Sequence, residues 1–154
     1  MTLPDVPPPQ QRPSARLIIL DQAGWALLFR FRFPDRTFWA TPGGAVDEGE
    51  SYEEAARREL AEETGFTGEL SAEVHRRYVV FTGPFGNRVE ADERYFCLRV
   101  ASRDVDRSGW EPVEQEMIEQ VSWLTSDDIR ALQDPVFPEN FADLVDQLKE
   151  TPQT

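Results

Sequence analysis

Apolar and polar residues alternate along the segments near the start of the chain, in a pattern typical of β-strands. Residues 15–21 are mostly apolar and end at the polar turn Gln22-Ala23-Gly24. In residues 25–33, apolar side chains occupy every second position. Those side chains are Leu27, Phe29, Phe31 and Phe33. A period of two beyond a turn predicts a hairpin, and residues 37–40 predict one more short strand, which ends at Pro42-Gly43-Gly44.

The clearest helical segment is residues 51–64. Ser51 can cap the first turn, and Glu54 stands where its side chain can return a hydrogen bond to the Ser51 backbone. Strong helix formers fill the interior, and Gly65 is the kind of residue that commonly ends a helix. The segment therefore predicts a helix with both ends defined by local sequence.

The second half of the chain predicts further strands. Residues 71–81 and 94–100 are rich in strand-forming side chains, and residues 119–124 predict one more strand. The intervening residues 82–93 contain glycine, proline and several charges, which predicts a linker.

Two helices are predicted after these strands. Ser126 is expected to cap a short helix that runs to about Leu132, and Pro138 is expected near the first turn of a last helix. Apolar residues follow helical spacing in that last segment, namely Phe141, Leu144, Val145 and Leu148. Hairpins mixed with helices predict an α+β fold, in which helices pack on a mixed β-sheet.

Length and composition indicate a single globular domain of 154 residues, with 40% hydrophobic and 29% charged residues. Residues 1–14 are rich in Pro and Gln and predict a flexible or extended arm, which leaves residues 15–150 as the domain. The sequence has no secretory-type or membrane-spanning apolar run, and Cys97 is its only cysteine. A cytoplasmic location, with no membrane partner, is the natural prediction.

The net charge of −13 restricts the classes of partner. A uniformly acidic surface repels polyanions, so binding of a DNA or RNA duplex is not expected. A small phosphorylated substrate is still compatible with this charge if metal cations bridge it to carboxylates. The charge therefore raises the question of which acidic residues are metal ligands.

The segment from Gly43 to Phe66 carries the strongest candidate chemistry. Helical spacing brings Glu59, Glu62 and Glu63 close together, where their like charges repel. A hard divalent cation such as Mg²⁺ would offset that repulsion. An ordinary solvated acidic face is the alternative reading of these three residues alone.

The spacing within this segment identifies a family. Gly44 is followed after five residues by Glu50 and after seven more by Arg58-Glu59-Leu60. Ala61, Glu62-Glu63, Thr64 and Gly65-Phe66 complete the pattern. The segment resembles the Nudix box, G-x5-E-x7-R-E-U-x-E-E-x-G-U, in which U is a bulky apolar residue, and it matches every defined position.

The resemblance implies an α/β/α sandwich and hydrolysis of a nucleoside diphosphate linked to a further group X. It implies that Glu59, Glu62 and Glu63 bind Mg²⁺, with Mn²⁺ as a substitute, and that the Gly44 carbonyl is a further ligand. It also implies that Glu50 orients Arg58, which braces the carboxylates. The catalytic set is therefore predicted as Glu50, Arg58, Glu59 and Glu62. Which glutamate is the general base, and how many metal ions bind, stay open.

Residues outside the box complete the predicted site. Many Nudix enzymes have a further metal-binding or basic glutamate after the box, and Glu119 is preferred to Glu116 for that role here. Arg30 and Arg32 could contact phosphates, and Trp39 could stack on a base. The alternatives are an exposed strand acid for Glu119, surface charge for the arginines and a core position for Trp39.

The stretch Trp39-Ala40-Thr41-Pro42-Gly43-Gly44 resembles the W-x-x-P-G-G segment of MutT-like hydrolases. It favours a nucleoside triphosphate or dinucleoside polyphosphate as the substrate. ADP-ribose or a nucleotide sugar is the alternative, and a non-catalytic nucleotide-binding module is the second. The sequence leaves a monomer and a homodimer equally open.

Overall fold

A computed structural model describes residues 7–83 and 85–150. The strands are β1 (Gln10–Leu20), β2 (Ala26–Phe33), β3 (Arg36–Ala40), β4 (Gly43–Ala45), β5 (Glu73–Thr82), β6 (Arg88–Arg99), β7 (Ile118–Leu124) and β8 (Val136–Phe137). The helices are α1 (Tyr52–Thr64), α2 (Pro112–Met117), α3 (Ser126–Arg130) and α4 (Phe141–Glu150). None of these helices combines the length and the apolar composition that crossing a bilayer requires.

The strand pairings form a mixed sheet with two branches. One branch contains β5, β6, β1 and β4, and the other contains β7, β2, β3 and β8. They are joined where Leu20 of β1 pairs with Ala26 of β2. β1 runs parallel to β6, and β3 runs parallel to β8, whereas the other pairs are antiparallel.

Alternation along β1 and β2 supplies a core on each face of the sheet. Leu17 and Ile19 pack in one cluster with Leu60 of α1, while Ile18 and Leu20 pack in the other with Phe141 of α4. Adjacent residues of a strand point to opposite faces, so helices cover both sides. The predicted fold class is confirmed: a mixed sheet lies between flanking helices.

The strand that begins the domain is longer than predicted. β1 begins at Gln10, so residues 10–14 belong to the sheet, and the arm predicted for residues 1–14 is wrong over that part. β1 pairs with β6 from Gln10–Val89 to Leu20–Arg99. Backbone pairing does not require apolar side chains, which is why the polar residues there concealed the strand. Residues 1–6 of the predicted arm lie outside the described residues.

Several other boundaries also differ from the sequence predictions. β6 begins at Arg88, so the predicted linker of residues 82–93 is mostly strand. Thr125, not Ser126, caps α3, and its side chain accepts a hydrogen bond from the Asp128 backbone. α4 begins at Phe141, after Pro138 rather than around it. The short elements β4, α2 and β8 were not predicted, because three, six and two residues are too few to display a periodicity.

Candidate active site

Local capping fixes helix α1 and therefore the register of its acidic residues. The Ser51 side chain accepts a hydrogen bond from the Glu54 backbone, and the Glu54 side chain accepts one from the Ser51 backbone. Gly65 ends the helix in the left-handed conformation, with φ of 75°. Both predicted ends of the helix are confirmed.

The three box glutamates differ in their surroundings. Glu59 and Glu63, one turn apart, are 8% and 3% exposed. Glu62 lies on the outer side of the helix, where 47% of its side chain is exposed. Two of the three predicted ligands therefore converge on the interior, and the third lies at its rim.

The glycines of β4 allow the backbone to approach these carboxylates closely. A β-carbon on Gly44 would lie 2.5 Å from Oε1 of Glu59, so any side chain at this position would displace the Glu59 carboxylate. The backbone N–H of Gly43 donates a hydrogen bond of 3.2 Å to Oε2 of Glu63. Gly43 also has φ of 140°, a conformation that favours glycine. The pair therefore brings strand backbone and two carboxylates into direct contact.

Arg58 connects the helix to the preceding loop and to β4. Its Nε and Nη2 donate to the two carboxylate oxygens of Glu50 at 2.8 and 3.0 Å. Nη2 also donates to the Ala45 carbonyl at 2.9 Å. Nη1 donates to Oε1 of Glu59 at 2.9 Å and to Oε2 of Glu62 at 3.2 Å. This geometry fits the expected bracing contact between Glu50 and Arg58, whose effect on catalysis stays a prediction.

A carboxyl group that the sequence did not single out lies beside Glu63. Glu114 of α2 is within hydrogen-bonding reach of the Glu63 carboxyl. Burial raises the pKa of Glu63 well above its usual value, and Glu114 and the charge of Glu59 act in the same direction. The Glu63 carboxyl group therefore lies in surroundings that disfavour its negative charge. Pro112 just after Glu111 was the signal that could have revealed this short helix.

The donor set fits a hard divalent cation. Burial also raises the pKa of Glu59, against the opposing hydrogen bond from Arg58, so negative charge at this site is costly. The polar atoms here are carboxylate and carbonyl oxygens, the ligands that Mg²⁺ prefers. Among residues 7–83 and 85–150, however, no three acidic, histidine or cysteine side chains converge on one point. Arg58 donates to one oxygen of Glu59 and one oxygen of Glu62, so it holds both carboxylates at this edge of the helix.

Glu119, Arg30 and Arg32, all candidates for the site, lie together in the structure. Glu119 lies 3.4 Å from Arg30 and 3.2 Å from Arg32, which places all three in one ion-pair cluster. Arg30 also pairs with Asp134 at 2.8 Å. These ion pairs neutralise Glu119 and the two arginines within the described part of the chain.

Trp39, the candidate for stacking on a base, occupies the core position that was its alternative. Trp39 is 5% exposed and packs in the core beneath α3 and α4. Its strand neighbours Phe38 and Ala40 face a cavity instead. Alternation along β3 decides this outcome, because adjacent residues of a strand lie on opposite faces.

That cavity has a volume of about 580 Å³ and reaches Gly43, Glu63 and Glu114. This size is within the usual range for small-molecule sites. Aromatic side chains form part of its lining, and four arginines form another part. The aromatic residues are Phe31, Phe33, Phe38, Phe81, Phe85, Tyr95 and Phe137. The arginines are Arg12, Arg16, Arg36 and Arg77.

The aromatic residues pack into a continuous wall. The Phe38 ring stacks on Phe31 with 5.5 Å between centroids and meets Phe33 edge-on at 4.9 Å. Phe38 also contacts Phe137 edge-on, at 5.6 Å. The Arg36 guanidinium lies 5.2 Å from the Phe33 centroid. The cavity therefore offers flat apolar surface beside cationic and acidic groups, a combination suited to a nucleotide.

Sequence relatives match the chain around the box. A proposed 8-oxo-dGTP diphosphatase of Bacillus subtilis (strain 168) is 47% identical over 61 residues, which is 40% of each chain. An RNA pyrophosphohydrolase of Caulobacter vibrioides (strain NA1000 / CB15N) is 48% identical over 60 residues, 38% of this chain and 35% of that one. The matched segments thus span about two fifths of those relatives or less.

The fold extends the similarity over most of the chain. The crystal structure of a MutT protein from Methanosarcina mazei Go1 has a TM-score of 0.67 and 23% sequence identity, and the match covers 92% of this chain and 97% of that one. The family model of the NUDIX domain matches residues 10–145. The chain therefore belongs to the Nudix family.

Proposed function

We propose that this chain is a Mg²⁺-dependent pyrophosphohydrolase of a nucleoside triphosphate or a dinucleoside polyphosphate. Nudix hydrolases generally use divalent metals and act on small nucleotides. One observation carries the proposal: Glu59 and Glu63 are buried against the Gly43-Gly44 backbone, and Glu63 lies in the wall of a cavity with an aromatic surface. In this arrangement the carboxylates would bind the cation at the phosphates, and the aromatic wall would contact the nucleobase.

Glu59 and Glu63 would hold the cation, with Glu62 and the Gly44 carbonyl as further oxygen donors. A bound divalent cation supplies charge neutralisation at the phosphate oxygens and acidifies a water molecule. Arg58 holds the Glu59 carboxylate in place and is itself fixed by Glu50 and Ala45. This fixed arrangement lowers the cost of assembling the charged site.

The Glu63 and Glu114 pair supplies a position for the transferred proton. A carboxylate beside the cation ligands can accept the proton of the attacking water. Attack of that water forms a new phosphorus–oxygen bond and breaks the anhydride bond. We assign Glu114 the role that the sequence assigned to Glu119.

Triphosphate-ended RNA is a second candidate substrate, because a relative that matches the box region is named an RNA pyrophosphohydrolase. The net charge of −13 disfavours binding of a duplex. A single 5′ end in the cavity would not require a basic surface for the rest of the strand. ADP-ribose and nucleotide sugars complete the set of substrates to be compared.

The decisive experiment incubates the purified protein with Mg²⁺ and that panel of substrates, with and without a chelator, and separates the products. We expect hydrolysis that the chelator abolishes and Mg²⁺ or Mn²⁺ restores. Glu59→Gln should lose about 100-fold or more in rate, since a lost charged ligand costs several kcal/mol at about 1.4 kcal/mol per tenfold.

The matched control is Glu53→Gln in the same helix. Glu53 is 59% exposed and pairs with Arg57 on the outer surface, so its variant should stay within about threefold of wild type. Equal rates for the Glu53 and Glu59 variants, or full turnover in chelator, would contradict the proposed site.

A further inference from the structure

Three of the four arginines that line the cavity lie close to one another on β1 and β5, in a protein with a strongly acidic composition. The chain has 16 basic and 29 acidic residues, yet Arg12, Arg16 and Arg77 all line this one cavity. Arg12 and Arg16 are four residues apart on β1 and therefore share a face. Arg77 lies on β5, across β6 from them. The cavity therefore concentrates positive charge in a molecule whose net charge is −13.

A buried carboxylate orients two of these arginines. Glu93 of β6 is 6% exposed. Its oxygens accept from Arg16 at 3.3 Å, from Arg77 at 2.9 Å and from the Tyr95 hydroxyl at 3.1 Å. Arg77 also pairs with Glu139, which is 69% exposed and therefore well screened. One buried carboxylate thus fixes two guanidinium groups and cannot neutralise both.

Arg12 differs from Arg16 and Arg77 in having no carboxylate partner among the described residues. Within residues 7–83 and 85–150, its guanidinium forms no hydrogen bond or ion pair, whereas Arg16 and Arg77 each have a carboxylate partner. Burial and the charge of Arg16 lower the pKa of Arg12, which means that this cation lies in an unfavourable position. Ser14, between Arg12 and Arg16 on the strand, is fully buried, and its hydroxyl has no hydrogen-bond partner in the same part of the chain. This face of β1 therefore carries unused donors.

The arginines and the box carboxylates are electrostatically connected. The charges of Glu59 and Glu63 both act on Arg12 and on Arg16. A substrate that reaches from the box carboxylates to Arg12 therefore needs anionic groups at both positions. A chain of three or more phosphates has them, whereas the sugar attached to a nucleoside diphosphate is neutral.

We infer that Arg12, with Arg16 and Arg77 held by Glu93, forms a subsite for the outer phosphates of a polyphosphate chain. The inference rests on the proposed function and narrows its substrate class to polyphosphates, against nucleotide sugars. Arg12 is the specificity-determining residue of this subsite, because it alone among the three has no carboxylate to satisfy it in the described part of the chain. Planar guanidinium groups bind phosphate oxygens in pairs, which makes the geometry selective.

The first test measures binding without catalysis. Inorganic tripolyphosphate is titrated calorimetrically into the protein in chelator. We expect Arg12→Gln to weaken binding by about tenfold or more, as the loss of a hydrogen bond to a charged group does. Arg12→Lys should fall between Arg12→Gln and wild type, because it keeps the charge and loses the second donor. Arg88→Gln is the matched control: its side chain is 60% exposed on β6, so binding should be unchanged.

The second test compares substrates in Mg²⁺. For a nucleoside triphosphate, Arg12→Gln should raise KM by about tenfold, whereas kcat/KM for ADP-ribose should change by less than twofold. A merely structural role for Arg12 would lower both activities together and would lower the melting temperature.

The two proposals fail in different ways. Tripolyphosphate binding that is the same in wild type and Arg12→Gln would overturn the subsite, even if the enzyme hydrolyses nucleotides. Absence of hydrolysis across the panel would overturn the proposed function, while the titration in chelator would still decide whether Arg12 binds polyphosphate.

Discussion

At the scale of single residues, burial separates the acidic side chains that can do chemistry from those that keep the surface solvated. Glu59, Glu63 and Glu114 act on one another's charge, and burial raises the pKa of the first two. Glu119 instead lies against two arginines at 30% exposure. Glutamate side chains in one protein thus differ in how readily they carry a negative charge, because their surroundings differ.

Substitution of Glu114 tests whether it completes the site. Glu114→Gln removes the partner of Glu63 and should reduce the rate by about 100-fold, the usual lower range for loss of a general base. It should also move the acidic limb of the pH–rate profile to lower pH, because Glu114 raises the pKa of Glu63.

Glu119→Gln tests whether Glu119, as predicted from the sequence, or Glu114, as proposed from the structure, is the additional glutamate of the site. Its ion pairs with Arg30 and Arg32 are partly exposed and contribute little, so activity should stay within about threefold of wild type. Steady-state kinetics on folded variants decide the matter. A large loss for Glu119→Gln with none for Glu114→Gln would reverse the assignment.

At the scale of elements, the site depends on how α1 is attached to β4. The glycines of β4 permit the contact, and one guanidinium fastens the helix to the loop and strand that precede it. The contact also defines where the Glu59 carboxylate lies. The helix and the strand therefore act as one unit in positioning the site.

Arg58→Lys tests this attachment. Lysine keeps the charge but cannot donate to Glu50, Ala45 and Glu59 in the same fork, so the rate should fall by about 10–100-fold. Arg57→Lys in the same helix is the matched control, because Arg57 is 49% exposed and pairs only with Glu53 among the described residues. Kinetics and melting curves of both variants are measured together. Equal rates for the two variants would show that the attachment has no catalytic role.

At the scale of the whole molecule, the buried carboxylates link stability to pH and to metal. The folded-state pKa of Glu63 lies above its ordinary value of 4.5, so the folded protein binds a proton more tightly than the unfolded chain. The resulting stability is fully present below the ordinary pKa and is lost as the pH rises through the raised pKa. A divalent cation should offset that loss, since it binds the deprotonated carboxylates.

Melting temperatures in chelator and in millimolar Mg²⁺, from pH 5 to pH 8, check this linkage. In chelator, Glu63→Gln should be more stable than wild type at pH 8 by about 1–3 kcal/mol, or about 2–10 °C, and the gain should shrink towards pH 5. Mg²⁺ should raise the melting temperature of wild type more at pH 8 than at pH 5, and it should raise that of the variant less. If the stability gain of Glu63→Gln did not depend on pH, ionisation of Glu63 would not be the cause of that gain.

The sequence by itself determined the features that depend on short-range geometry. Ser51, Glu54 and Gly65 define α1 because capping involves residues within one turn. Alternation along β1 and β2 determined which side chains form the two cores, and the spacing of Gly44, Glu50, Arg58 and Glu59 identified the family. Each of these patterns involves residues that are close together in the sequence, so it can be recognised without the tertiary structure.

Only the tertiary structure decided which distant side chains meet. Glu114 reaches Glu63 because α2 packs near the box helix, and Trp39 is buried because the other face of β3 lines the cavity. Arg12 reached the cavity because β1 extends through polar residues and pairs with β6 along its whole length. Contacts between strands and helices depend on packing in three dimensions, which no local period in the sequence records.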